Sequence, residues 1–152
     1  MKPRFLYGLI AGAIGLVLNI CISAAIGLCG PFVALLAGAG AGFFAAQAEK
    51  VPTKNEGAQL GATAGAIAGG LTLVGQLVGS ISILLFVMMA DIEPIIGSIP
   101  DSSDMAGQSV YLLSGLGIGV CFGLVGIILG VLAGAGAGYL GTPEIPAAQP
   151  EN

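Results

Sequence analysis

The most constraining feature of this 152-residue chain is where its charges fall. Every Lys, Arg, Asp and Glu lies in one of four short zones: Lys2 and Arg4; Glu49 to Glu56; Asp91 to Asp104; and Glu144 with Glu151. Three uncharged tracts remain between them. The first, Phe5 to Ala48, would be about 66 Å long as one helix at ~1.5 Å per residue, about twice the ~30 Å hydrocarbon core of a bilayer. It must therefore fold back on itself.

Composition excludes the soluble alternative. Charged residues make up 8% of the chain and hydrophobic ones 56%, with a mean hydropathy of +1.02, whereas a soluble domain carries about 25% charged residues. Too few polar side chains exist to cover a water-facing surface, and an exterior facing lipid removes that difficulty. The expected fold class is an all-α membrane protein, a four-helix transmembrane bundle in a single domain over residues 1–141.

Breakers and caps set the helix boundaries. Gly30-Pro31 is the strong break in the first tract, glycine suiting a helix C-cap and proline the first turn of the next helix. That gives helices at about 5–28 and 31–49. The hydrophilic stretch 49–56 ends in Thr53-x-x-Glu56, a capping box, so a third helix is expected at about 54–90, longer than one crossing needs, so that its first turns stand above the membrane, it tilts, or it bends at Gly69-Gly70. The fourth runs over about 105–140 and stops at Gly141 with Pro143 behind it. Residues 142–152, rich in Pro, Ala, Glu and Gln, are expected to form a disordered tail. Lys2 and Arg4 before an apolar run also fit a secretory signal cleaved near Ser23 and Ala25. The apolar run continues past that point, so an uncleaved first span is expected. All four basic residues sit at the N-terminus or in the 49–56 loop, which four spans place on one side, so both termini are expected on the cytoplasmic face of a cell membrane.

Glycine supplies the most conspicuous pattern. Of the 27 glycines, Gly57, Gly61, Gly65 and Gly69 fall four apart on the third helix. On the fourth, Gly115, Gly119 and Gly123 make one such row and Gly126, Gly130, Gly134 and Gly138 another. Residues four apart share a helix face, and removing the side chain there lets a neighbouring backbone approach, which matters because burial from water does not drive helix association within lipid. These rows are expected to be helix-packing faces, serving the bundle itself and, where a row is left over, a homo-oligomer or a larger membrane complex. The string Leu36 to Phe43 recurs as Leu132 to Tyr139, which suggests a duplicated hairpin with parallel copies.

These Gly-Ala-Gly-Ala-Gly strings, at 38–42 and 134–138, resemble the rotor proteolipids of rotary ATPases, whose tandem-hairpin form also has four spans. The resemblance implies an ion-carrying carboxylate in mid-membrane. The uncharged tracts contain no Asp or Glu, so a proton-carrying rotor is not expected.

Other chemistry is thin. With no histidine, the commonest general base and metal ligand are missing, and Cys21, Cys29 and Cys121 form no metal-ligand spacing. A phosphate loop would need a strand before its glycines and a Lys-Ser/Thr after them. No catalytic site, cofactor, metal or nucleic-acid partner is expected, and the lipid bilayer is the expected surrounding. Asp91, Glu93, Asp101 and Asp104 match no EF-hand loop and are expected to form a solvated acidic segment. The polar groups expected deepest in the membrane are Asn19 and Gln76. Interhelical hydrogen bonding is their expected role, and lining a narrow path for a small solute or ion is the alternative. The expected function is non-catalytic, structural or accessory-subunit in type, with a channel or transporter as the alternative.

Overall fold

A computed structural model describes residues 2–23, 30–90 and 105–143. Four helices make up these segments: α1 Pro3–Ser23, α2 Gly30–Glu49, α3 Lys54–Ala90 and α4 Met105–Gly141. All four are long and apolar enough to cross a membrane. The acidic stretch 91–104, the tail 144–152 and Cys29 lie outside the described residues, as does the expected end of the first helix near residue 28.

The local chemistry at the helix starts follows the sequence. Pro3 opens α1, where a missing amide hydrogen costs nothing. The carboxylate of Glu49, the last residue of α2, accepts from the backbone amide of Arg4 at 3.1 Å, so an acid meets the positive end of α1. Lys50 leaves α2 in the left-handed conformation at φ 47°. Thr53 then caps α3, its Oγ1 accepting from the Glu56 amide at 3.3 Å while its carbonyl accepts from Gly57 at 3.1 Å. Gly30 is the buried first residue of α2, one residue ahead of the expected start at about 31. Thr142, expected to begin the loose tail, is buried and donates its hydroxyl to the Gly138 carbonyl at 2.9 Å. α3 runs through Gly69-Gly70 as one helix of 37 residues.

The helices alternate in direction. Tyr7 of α1 stacks on Phe44 of α2 with ring centroids 6.1 Å apart, while Gly15 lies against Ala37, so α1 and α2 are antiparallel. Gly8 and Gly12 of α1 face Ala64 and Ala68 of α3 in the same order, so α1 and α3 run parallel. α2 and α3 touch each other and both neighbours, whereas α1 and α4 make no contact among the described residues. The cross-section is a rhombus with α2 and α3 on its short diagonal.

Size sorting in this bundle is the reverse of a water-soluble one. Its buried centre is alanine and glycine, with Ala41, Ala45, Ala64 and Ala68 forming one cluster, and large apolar side chains such as Ile14, Leu36, Leu113 and Leu132 stand exposed on the outside. Serines at the exterior satisfy their own hydroxyls. Ser109 and Ser114 donate to the carbonyls of Met105 and Val110, at 2.7 and 2.8 Å, the i−4 pattern that spares a polar group from needing water.

Candidate functional site: the α2–α3–α4 seam and its buried polar neighbours

The glycine row of the C-terminal half of α4 lies in the cleft between α2 and α3. On the α3 side the register is antiparallel. A Cβ at Gly61 would overlap the Gly134 carbonyl oxygen, one at Gly65 would overlap that of Gly130, and one at Gly57 would come 2.8 Å from that of Gly138. From the other side, a Cβ at Gly134 or Gly138 would overlap the carbonyl oxygens of Gly61 and Gly57. A Cβ at Gly69 would come 3.0 Å from the Cα of Ile127. On the α2 side the register is parallel. Cβ atoms at Gly38 and Gly42 would overlap the carbonyls of Gly130 and Gly134, and one at Gly126 would come 3.2 Å from the Ala34 Cβ. At Gly38, Gly42, Gly61, Gly65, Gly134 and Gly138 backbone lies directly on backbone, whereas the atom nearest a Cβ at Gly57 would be the Thr142 hydroxyl.

The three rows noted in the sequence therefore differ. Gly57, Gly61, Gly65 and Gly69 are brought against Gly126, Gly130, Gly134 and Gly138. In the row Gly115, Gly119 and Gly123, the last two meet side chains instead. A Cβ at Gly123 would come 2.9 Å from Cγ of Leu73, and one at Gly119 would have as its nearest neighbour the Ser80 hydroxyl at 3.3 Å. Gly115 is half-buried.

Gly38 and Gly42 belong to the tightest contacts, and sequence reasoning did not single them out as packing positions. Their four-residue spacing was the available signal, masked by Gly40 between them. Gly40 points the other way and has nothing within 4 Å. Gly136, its counterpart in the repeated string, is equally open. The two copies thus share one pattern of inward and outward glycines. On α1, Gly8 and Gly12 form a further i, i+4 pair, facing α3. A Cβ at Gly8 would come 3.0 Å from the Ala64 carbonyl, and one at Gly12 would come 2.5 Å from Cδ1 of Leu71.

Asn19 and Gln76 are both buried, at 0% and 4% exposure. The Asn19 amide nitrogen donates to the Thr72 backbone carbonyl at 2.8 Å, tying α1 to α3. Thr72 is itself buried and donates its hydroxyl to the Gly69 carbonyl at 2.8 Å. Gln76 stands one turn beyond Thr72, with its side-chain amide against the backbone of Gly30, where a Cβ would overlap Oε1. Asn19, Thr72 and Gln76 thus form a short polar column along the α3 face that meets α1 and α2.

Among the described residues, the charged side chains lie at one end of the bundle. Arg4 stacks on Phe5 with 5.6 Å from the guanidinium carbon to the ring centroid, and the Lys54 ammonium stands 5.3 Å from the centre of Tyr139. A polar hollow of about 280 Å³ beside them is bordered by Arg4, Glu49, Glu56, Gln59 and Thr63. Among the described residues, no three Cys, Asp or Glu gather to hold a metal ion. Cys21 and Cys121 are free thiols on the exterior. No protein family, curated protein or solved structure matches the chain.

Proposed function

We propose that this chain is a multi-pass membrane protein of non-catalytic type, a structural or accessory subunit whose helices associate through glycine-rich, small-xxx-small faces. The observation carrying this reading is the inverted size sorting: glycine and alanine inside, large apolar side chains outside, on four helices long enough to span a bilayer. Such an exterior suits lipid, and such an interior gives the close backbone contact by which helices associate where the hydrophobic effect cannot help. The end holding Arg4, the 49–54 turn and Gly141 carries all four basic side chains, which supports placing both termini on the cytoplasmic side of a cell membrane.

Because the inward rows of α2, α3 and α4 face one another within one chain, a homo-oligomer or larger membrane complex would use the outward faces, where Gly40, Gly117 and Gly136 have open space. The full burial of Asn19 and its bond to Thr72 favour helix tethering over solute conduction for the polar column.

The test is the native mass of the protein released from its own membrane at ordinary expression, in nanodiscs or mild detergent. A defined heteromeric species supports the accessory-subunit reading. A lone monomer overturns it, and liposome flux with and without Asn19→Leu and Gln76→Leu then decides whether a solute passes.

A further inference from the structure

We infer that the polar hollow between the first turns of α1 and α3 binds one phospholipid headgroup that carries a primary ammonium, as in phosphatidylethanolamine. The inference rests on the membrane reading above. Three helices build the hollow. Arg4 comes from the first turn of α1, Glu49 is the last residue of α2, and Glu56, Gln59 and Thr63 follow at helical spacing along α3. Its volume is about 280 Å³, above the ~150 Å³ that holds a benzene ring and below the ~300 Å³ at which pockets for drug-sized ligands begin. The space suits a headgroup of a few heavy atoms.

The chemistry of the walls identifies the occupant by elimination. The Arg4 Nε–H is buried and has no hydrogen-bond partner among the described residues, and a buried donor left unmade is costly, so an acceptor oxygen belongs there. A bare cation would be repelled by the guanidinium and would leave that donor unmet. Glu49 and Glu56 bring two carboxylates to the same hollow, so a bare anion is repelled in its turn. Both demands are met by an anionic oxygen joined, a few atoms away, to a cation that donates hydrogen bonds. A phosphodiester linked through two carbons to a primary ammonium is such a group. Its phosphate faces Arg4 and its ammonium faces the carboxylates, while Val51 and the buried Leu60 supply an apolar wall for the carbons between. The bond from the Arg4 amide holds one Glu49 oxygen in place, and the second is left for the ammonium. A choline headgroup carries the same charges, yet its quaternary nitrogen has no hydrogen to donate. The hollow lies where the apolar spans meet the charged end of the bundle, the level at which headgroups lie.

Glu56 makes this testable. It is exposed, and glutamine serves the third helical position of a capping box as well as glutamate does, so Glu56→Gln removes a charge and leaves the helix start intact. The full chain in mild detergent is titrated with phosphatidylethanolamine or phosphatidylcholine of the same acyl chains, and bound lipid per protein is read by native mass spectrometry. The first phosphatidylethanolamine is expected to bind about fivefold tighter than phosphatidylcholine, the scale of one exposed charge pair. Glu56→Gln should reduce that preference and Glu49→Gln/Glu56→Gln should remove it. Arg4→Gln should weaken both lipids alike, since both carry the phosphate. Lys50→Gln is the control, exposed and bordering a different hollow, and should change neither. Equal affinity for the two lipids, a preference that survives Glu56→Gln undiminished, or the same loss in Lys50→Gln overturns the site.

Water-soluble glycerophosphoethanolamine separates a lipid from a free zwitterion of the same chemistry. At a concentration matched to the lipid it should leave bound phosphatidylethanolamine in place. Full displacement would assign the hollow to a soluble ligand and overturn the lipid. Failure of the membrane reading looks different: the chain would stay in solution once detergent is removed, would not float with vesicles, and would bind neither lipid.

Discussion

The two halves of α4 carry the same spacing of glycines and meet their neighbours in different ways. From Gly126 to Gly138 the helix is pinched between α2 and α3, and the atoms it touches at Gly130, Gly134 and Gly138 are largely backbone. At Gly119 and Gly123 the nearest atoms belong to Ser80, Leu77 and Leu73 side chains, and Gly117 faces open space. A rotamer can change where a carbonyl cannot. Spacing therefore marks a helix face, and the kind of atom opposite decides whether the glycine is required.

The largest effect expected from this contrast is at Gly134, which touches Gly61 on one side and Gly38 on the other. Gly134→Leu should abolish the folded bundle, seen as loss of a cooperative thermal transition in detergent. A transition retained near the native temperature would break the comparison outright. Gly61→Ala and Gly134→Ala should each cost about 1–3 kcal/mol from overpacking. Because they meet at one contact, the double variant should cost less than the sum; strict additivity would mean that the two helices do not touch there. Asn19→Ala removes the bond to the Thr72 carbonyl and should cost about 0.6–2 kcal/mol, measured by the same melt. Gly119→Ala, with only the Ser80 hydroxyl within 3.4 Å, should shift stability by less than about 0.5 kcal/mol. The one change expected in the opposite direction is a gain at Gly136→Ala. That position is open and lies within the helix, where alanine is favoured over glycine by up to ~1 kcal/mol.

Much of this was legible in the sequence. The uncharged tracts and their breakers located four helices, because charge and proline are costly inside a helix crossing lipid. Thr53 and Glu56 fixed the start of α3, since a capping side chain acts within one turn. Partners were not legible. The i, i+4 rows on α3 and α4 said which residues share a face and nothing about whose backbone would lie opposite, since that depends on register between segments far apart in the chain. The antiparallel match of Gly57 with Gly138 and the parallel match of Gly38 with Gly130 emerge only when the helices are placed together. Asn19 and Gln76 could be read as deep polar groups, while the carbonyl that Asn19 reaches belongs to Thr72, whose backbone carries no sequence signature. The hollow bordered by Arg4, Glu49 and Glu56 draws on α1, α2 and α3 at once, and no one of these helices alone shows it.

The slot that receives α4 also bears on how the chain is made. α4 leaves the ribosome after α2 and α3, and its glycine row fits a furrow that those two helices form. Until it arrives, Gly38, Gly42, Gly61 and Gly65 present bare backbone to whatever surrounds the nascent chain. A polypeptide stopped before Met105 would carry that open furrow permanently, a persistent mark by which quality control could tell an unfinished copy from a finished one.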